Sequence, residues 1–229
     1  MRIGGMQKTS LIDYPGCLAA VLFTIGCRYD CFYCHNRSLI PAEGSQKTPQ
    51  LSEERVLEYL RYRSMVLEGV VISGGEPTQQ GDLIEFLGRV KQLGYSVKLD
   101  TNGSHPDMLS GLIASKLIDY AALDVKAPWE RYQEICGSAA DAAAVQESLG
   151  VLGRSDISWE VRTTICPTLE EEDMKQIALQ IQRVPLWRWN FYRRPVDYKE
   201  SDALRVDGPV LSLRRQQELA VTLHGVTDD

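Results

Sequence analysis

The chain has 229 residues, 44% of them hydrophobic and 24% charged, with 31 acidic against 25 basic side chains and a formal net charge of −6. That length can bury one substantial core within a single α/β domain. The acidic balance argues against nucleic acid as a partner, because such affinity comes from clustered Lys and Arg that release counterions; no apolar run is long enough to span a bilayer, so a membrane is not an expected partner either.

Residues 1–16 mix Arg2, Lys8 and Asp13 with apolar positions and lack the unbroken apolar run of a signal peptide. The expected location is therefore the reducing cytoplasm, where closely spaced cysteines bind metal or do redox chemistry more often than they form disulfides. Residues 18–24 read as a buried strand, and a helix follows over 52–65 with Ser52 as N-cap and Glu53 and Glu54 near its positive end. A second strand over 70–72 ends at Gly74 and Gly75. Leu83, Phe86, Leu87, Val90 and Leu93 share one helical face, and Gly94 stops that helix before a third strand over 95–99. A helix over 108–116 precedes strand four at 120–125. Helices over 129–135, 139–149 and 170–183 surround strand five at 161–165 and lead to strand six at 186–192.

Strands separated by helices imply right-handed crossovers and a parallel sheet. Six units are too few for the closed eight-unit barrel, so the expected fold is an open, partial (β/α)6 TIM-like barrel with functional groups at the C-terminal ends of its strands. This domain would span residues 1–195. Residues 196–229 form a polar tail with a helix near 210–223, whose role the sequence leaves unexplained.

The loop after the first predicted strand holds Cys27, Cys31 and Cys34 in a C-x3-C-x2-C arrangement. Three thiolates on a four-iron cluster would leave one iron with an open position, the feature that separates a catalytic metal site from a closed structural one. The competing reading is a structural zinc site with His35 as fourth ligand, in a non-catalytic interaction module. Against it, Cys34 and His35 are neighbours, and neighbours in an extended loop point in opposite directions. Cys17, Cys136 and Cys166 have no matching spacing and read as small apolar side chains.

Gly74, Gly75 and Glu76 close strand two, where paired glycines let the backbone approach a ligand. Asp100 to Gly103 close strand three, and Asp124 to Lys126 close strand four, which brings two carboxylates and an ammonium toward one rim. Arg162 begins strand five, where it could equally pair with a surface carboxylate. Trp187 and Trp189 alternate along a strand and suit core packing. Arg193 and Arg194 suit either an acidic partner surface or plain solvation.

Together these residues resemble the radical S-adenosylmethionine superfamily, whose C-x3-C-x-aromatic-C pattern appears as Cys27, Cys31, Tyr33 and Cys34. Within it, residues 1–16, the step from Cys34 to Asn36, the turn from Leu99 to Gly103 and the stretch from Val161 to Thr164 look like the anaerobic ribonucleoside-triphosphate reductase activating proteins, a branch of the glycyl-radical-enzyme activases. The segment from Trp189 to Pro195 matches that branch only loosely. The resemblance implies a 4Fe–4S cluster on Cys27, Cys31 and Cys34, whose remaining iron is chelated by S-adenosylmethionine. It also implies that Gly74, Gly75 and Glu76 receive the amino group of that molecule and that Tyr33 lies beside its adenine. Asp100, Asn102, Asp124 and Lys126 would line the sugar and methionine end, with Lys126 and Arg162 suited to its carboxylate. Asp100 and Asp124 are alternatively implied to hold a monovalent cation. The implied partners are a glycyl-radical enzyme, foremost anaerobic ribonucleotide reductase, and an electron donor such as flavodoxin or ferredoxin. The alternatives within the superfamily are an activase for another glycyl-radical enzyme and an enzyme acting on a small molecule, such as a deazapurine synthase.

Overall fold

A computed structural model describes residues 1–40, 49–223 and 226–228. Eight strands form one open sheet in chain order: β1 (Ile3–Ser10), β2 (Ala19–Thr24), β3 (Gly69–Gly74), β4 (Ser96–Thr101), β5 (Tyr120–Asp124), β6 (Ser158–Ile165), β7 (Trp187–Phe191) and β8 (Val226–Asp228). β1 runs antiparallel to β2, and every later neighbour pair is parallel. The six expected βα units are β2 to β7, so the partial barrel stands, with an antiparallel strand added at one edge and a short parallel one at the other.

The helices are α1 (Glu53–Arg63), α2 (Leu83–Gln92), α3 (Pro106–Ala114), α4 (Tyr132–Cys136), α5 (Ala142–Gly153), α6 (Glu171–Gln180), α7 (Ala203–Val206) and α8 (Leu213–Thr222). Ser52 caps α1 as expected, its hydroxyl accepting the Arg55 amide at 3.4 Å while Glu53 and Glu54 occupy the first turn. The single helix expected over 129–135 is a 3-10 turn, Trp129–Arg131, followed by α4, which ends at Gly137 with φ +89°. Of the tail, residues 224, 225 and 229 lie outside the described residues. No helix among those described is long and apolar enough to cross a membrane.

The main core fills the space between the outer face of the sheet and the helices. Ala20, Leu22, Val70, Ile72, Val97, Leu99, Leu123 and Val161 pack there in one cluster with Phe86, Leu87, Leu112 and Ile177 from the helices. A smaller cluster, Tyr14, Ala19, Val21 and Val71, is separate from it, with Phe23 and Tyr120 packed alongside. Its members alternate with the outward residues of β2 and β3, which places them on the barrel's inner face. Tyr14 and Tyr120 meet with ring centroids 5.9 Å apart. The C-terminal strand ends above that cluster carry polar side chains.

Candidate active site at the strand ends

The cysteine loop leaves β2 through Gly26, whose φ of +102° favours glycine, and turns back so that the Cys34 amide donates to the Cys31 carbonyl at 3.1 Å. Gly75 faces Gly26 across the gap between β2 and β3. A Cβ on Gly75 would stand 2.1 Å from the Gly26 carbonyl oxygen, and the Glu76 amide donates to that same oxygen at 2.7 Å. The paired glycines therefore let two backbone segments touch each other. The sequence reading had them approaching a ligand. Gly74 does line the cavity described next, while its carbonyl accepts the Asn36 side-chain amide at 3.1 Å.

Cys27, Cys31, Tyr33, Cys34, Gly74, Asp100, Asn102, Asp124, Lys126 and Arg162 all line one cavity of about 320 Å³ at the C-terminal ends of the strands. Gly75 and Glu76 stand behind its wall. Glu76 is 1% exposed, and its carboxylate accepts from the Thr78 amide, the Thr78 and Thr101 hydroxyls and the Asn102 amide at 2.5–3.0 Å. Burial raises the pKa of this carboxyl, and those four donors oppose the rise. Its position makes it a staple between the turns after β3 and β4. Through that staple Asn102 is held with its side-chain nitrogen 3.5 Å from the Cys27 sulfur.

The opposite wall is ionic. Lys98 reaches one Asp100 oxygen at 2.6 Å, and Arg162 reaches the other at 3.3 Å. Arg162 also donates to one Asp124 oxygen at 3.0 Å, and Lys126 meets the second at 3.0 Å. Burial alone would raise the Asp124 carboxyl, but Lys126 and Arg162 pull it down to about 2. Three cations thus serve two carboxylates: Lys126 and Arg162 line the cavity with Asp100 and Asp124, while Lys98 supports Asp100 from behind.

The thiols carry the opposite bias. Burial, then the charge of Glu76, pushes Cys27 up to about 12; burial also raises Cys34. A contact with the Cys136 thiol, then burial, raises Cys31. Metal binding here would have to displace protons. Tyr33 is 5% exposed, and its hydroxyl has no hydrogen-bond partner among the described residues although it lines the cavity. A buried hydroxyl without a partner is costly and fits a site shaped around a bound molecule.

His35 borders the same cavity as Cys34 but is exposed, whereas Cys34 is half-buried. Among the described residues no group of three His, Cys, Asp or Glu side chains is gathered tightly enough to hold a single metal ion. Three ligands of one zinc crowd around it at about 2.0–2.3 Å, whereas a cubane takes each thiolate on a different iron and spaces the sulfurs further apart. Three thiols of one loop facing a common cavity are the donor set that a cubane would use. Cys136 and Cys166 are buried in the main core, as their lack of spacing suggested.

Asp13, Ser73, Thr164 and Asn190 also line the cavity, and the sequence reading singled out none of them for it. Thr164 pairs with Asn190 in the β6–β7 register. A signal was available in the alternation of β7, where Arg188 and Asn190 occupy the phase opposite Trp187 and Trp189. Lys98 was missed because a lysine inside a strand usually marks an exposed face, whereas here it is 2% exposed.

Comparison with known proteins bears on this geometry. The model of the radical SAM superfamily matches residues 21–181. A Methanocaldococcus jannaschii protein provisionally named a glycyl-radical enzyme activating enzyme is 34% identical over 191 residues, covering 81% of this chain and 77% of the other. The pyruvate formate-lyase-activating enzyme of Clostridium pasteurianum is 29% identical over 192 residues, covering 80% and 77%. Among solved structures, Streptococcus suis SuiB bound to S-adenosylmethionine superposes with a TM-score of 0.69 at 14% identity, over 90% of this chain and 48% of that one.

Proposed function

Given that the chain belongs to the radical SAM superfamily, we propose that it is an activase that cleaves S-adenosylmethionine reductively and generates a glycyl radical on a partner enzyme, an anaerobic ribonucleoside-triphosphate reductase. The reading rests on one observation: three cysteines of one loop, an unpartnered buried tyrosine hydroxyl and an ion-paired set of strand residues face a single cavity. The two relatives bearing activase names support the reaction class. The reductase as partner rests on the resemblance of residues 1–16 and of the strand-end turns, and pyruvate formate-lyase is the competing partner that the second relative names.

In this reading Cys27, Cys31 and Cys34 would hold the cluster, which when bound would supply the one-electron reduction that cleaves S-adenosylmethionine to methionine and a 5′-deoxyadenosyl radical able to take a hydrogen atom from a partner's glycine. Tyr33 offers its free hydroxyl and ring to the adenosyl group. Lys126 and Arg162 provide the positive field that a methionine carboxylate needs, and Asp100, Asp124 and Asn102 offer acceptors for its amino group and sugar. Gly74 borders the same space. Glu76 acts one step behind, by fixing Asn102 and the Gly75 turn. Asp100 and Asp124 are alternatively the site of a monovalent cation, which would share their carboxylates with Lys98, Arg162 and Lys126.

The test is anaerobic reconstitution with iron and sulfide, followed by incubation with S-adenosylmethionine, a chemical reductant or reduced flavodoxin, and each candidate partner. Deoxyadenosine should form, and a glycyl-radical resonance should appear on the reductase but not on pyruvate formate-lyase. Cys31→Ala should fold, yet make no more deoxyadenosine than a protein-free control. Unchanged deoxyadenosine formation in that variant would falsify the ligand assignment, and product without any protein partner would move the enzyme to small-molecule chemistry.

A further inference from the structure

The cysteine loop is gripped from outside by the part of the chain that the sequence left unexplained. From β7 the backbone turns at Tyr192, whose hydroxyl donates to the Val206 carbonyl at 2.8 Å, and Arg194 pairs with Asp207 at 2.6 Å. These contacts close residues 192–208 into a strap. Its inward side carries Val206, which is 1% exposed, and Arg205, whose guanidinium lies 4.1 Å from the ring centroid of Phe32 and donates to the Glu134 carbonyl at 2.7 Å. Phe32 follows Cys31 directly and is itself 2% exposed, edge-on to Tyr33 at 5.2 Å. Lys199 adds an ion pair to Asp30, which Arg37 also meets at 2.5 Å. From beneath, the Asp30 amide donates to the Cys136 carbonyl at 2.7 Å, and Gly137 leaves room for Asp30 to approach.

We propose that Arg205 is a positioning residue, and that the 192–208 strap uses it to hold the loop between Cys27 and Cys34 in the shape that receives the cluster. Arg205 is the grip because it bridges two elements at once, stacking on the loop and hydrogen-bonding the end of α4, with a planar fork that suits both contacts. Lys199 and Asp30 are about half exposed, so that pair adds little. The inference rests on the reading of the three cysteines as cluster ligands.

Limited trypsin digestion of cluster-free, full-length protein reads the loop directly, because Arg28 is exposed within it. Cleavage after Arg28, followed by mass spectrometry, should be about tenfold faster in Arg205→Ala, since local opening is no longer opposed by the strap. Arg205→Lys should fall between that variant and wild type, and Lys199→Ala should match wild type. Phe32→Leu removes the stacked ring and should behave like Arg205→Ala, with no further gain in the double variant; it also carries the test if Arg205→Ala fails to fold. After reconstitution, the Arg205 and Phe32 variants should lose iron to a chelator faster and show an altered spectrum of the reduced cluster. An Arg205→Ala loop as resistant as wild type, in a protein that does load iron and sulfide, overturns the strap alone. Wild-type protein that takes up no iron overturns the ligand assignment and the strap with it.

Discussion

Along β4, Val97 and Leu99 are fully buried in the apolar layer beneath the helices, while Lys98 and Asp100 occupy the opposite phase and pair with each other inside the barrel. The same split runs through β6, where Val161 and Ile165 join the apolar layer and Arg162 joins the ionic wall. The outer layer gains stability from every buried methylene and tolerates any side chain of the right size. The inner layer gains little from its charges, because desolvation offsets much of the ion-pair attraction. Its arrangement makes sense as a device for presenting charge to a ligand, and the two layers should respond oppositely to substitution.

The largest effect on folding should come from the outer layer. Leu87→Ala, at a fully buried position of α2, should cost about 2–5 kcal/mol in denaturant unfolding while leaving deoxyadenosine formation per folded molecule unchanged. A similar loss of activity would erase the division between layers. Gly75→Ala tests the seam where the layers meet: its Cβ would collide with the Gly26 backbone, at a cost of about 1–3 kcal/mol, and would displace the neighbouring Cys27. Iron retained per chain after reconstitution should fall in step.

In the inner layer, Arg162→Ala should cost about 1–3 kcal/mol, less than breaking a fully dry ion pair because solvent reaches this rim. Its larger consequence should be weaker binding of S-adenosylmethionine, seen as a raised KM. The pH dependence gives a second reading. Asp124 is held below its ordinary value of 3.8, at about 2, so it contributes stability above 3.8 that fades as the pH falls toward 2. Without Arg162 its pKa should rise, and this acid limb of the stability curve should flatten. The smallest effect belongs to Gly88→Ala in α2, where nothing lies within 4 Å of the added methyl group; it should stabilise by about 0.5–1 kcal/mol in thermal or denaturant unfolding.

The two layers also differed in how readily the sequence revealed them. Strands β2 to β7 announced themselves because each buries one face under the helices, and in β2 and β3 both faces are apolar enough to give short continuous runs. β1 escaped notice because an edge strand is half solvated. Gln7, Lys8 and Thr9 are exposed, and two glycines break its pattern. β8 has only three residues, too few to show a period. In the site, Asp100, Asp124 and Lys126 were visible as charges at strand ends, and Arg162 as a charge within a strand, though β6 begins earlier than expected, at Ser158. Asp13 was not, because nothing local distinguishes an aspartate in a loop from its solvated counterparts, and Asn190 was marked only by its phase opposite Trp187 and Trp189 in β7. Glu76 was visible but given a different task. A carboxylate beside two glycines reads as ligand-facing until its four donors are seen.

What the sequence determined by itself was the alternation of strands and helices, the single loop that gathers three cysteines, and the strand ends on which charge would collect. These are local properties, fixed by spacing and by the one geometry that a short βα unit permits. Tertiary structure decided which face each charge takes, how Lys98 and Arg162 are shared between two carboxylates, and that a polar tail returns to clasp the loop. Such contacts join Phe32 to Arg205 and Asp30 to Lys199, the latter pair 169 positions apart, and no local period records a pairing made only when the sheet curls.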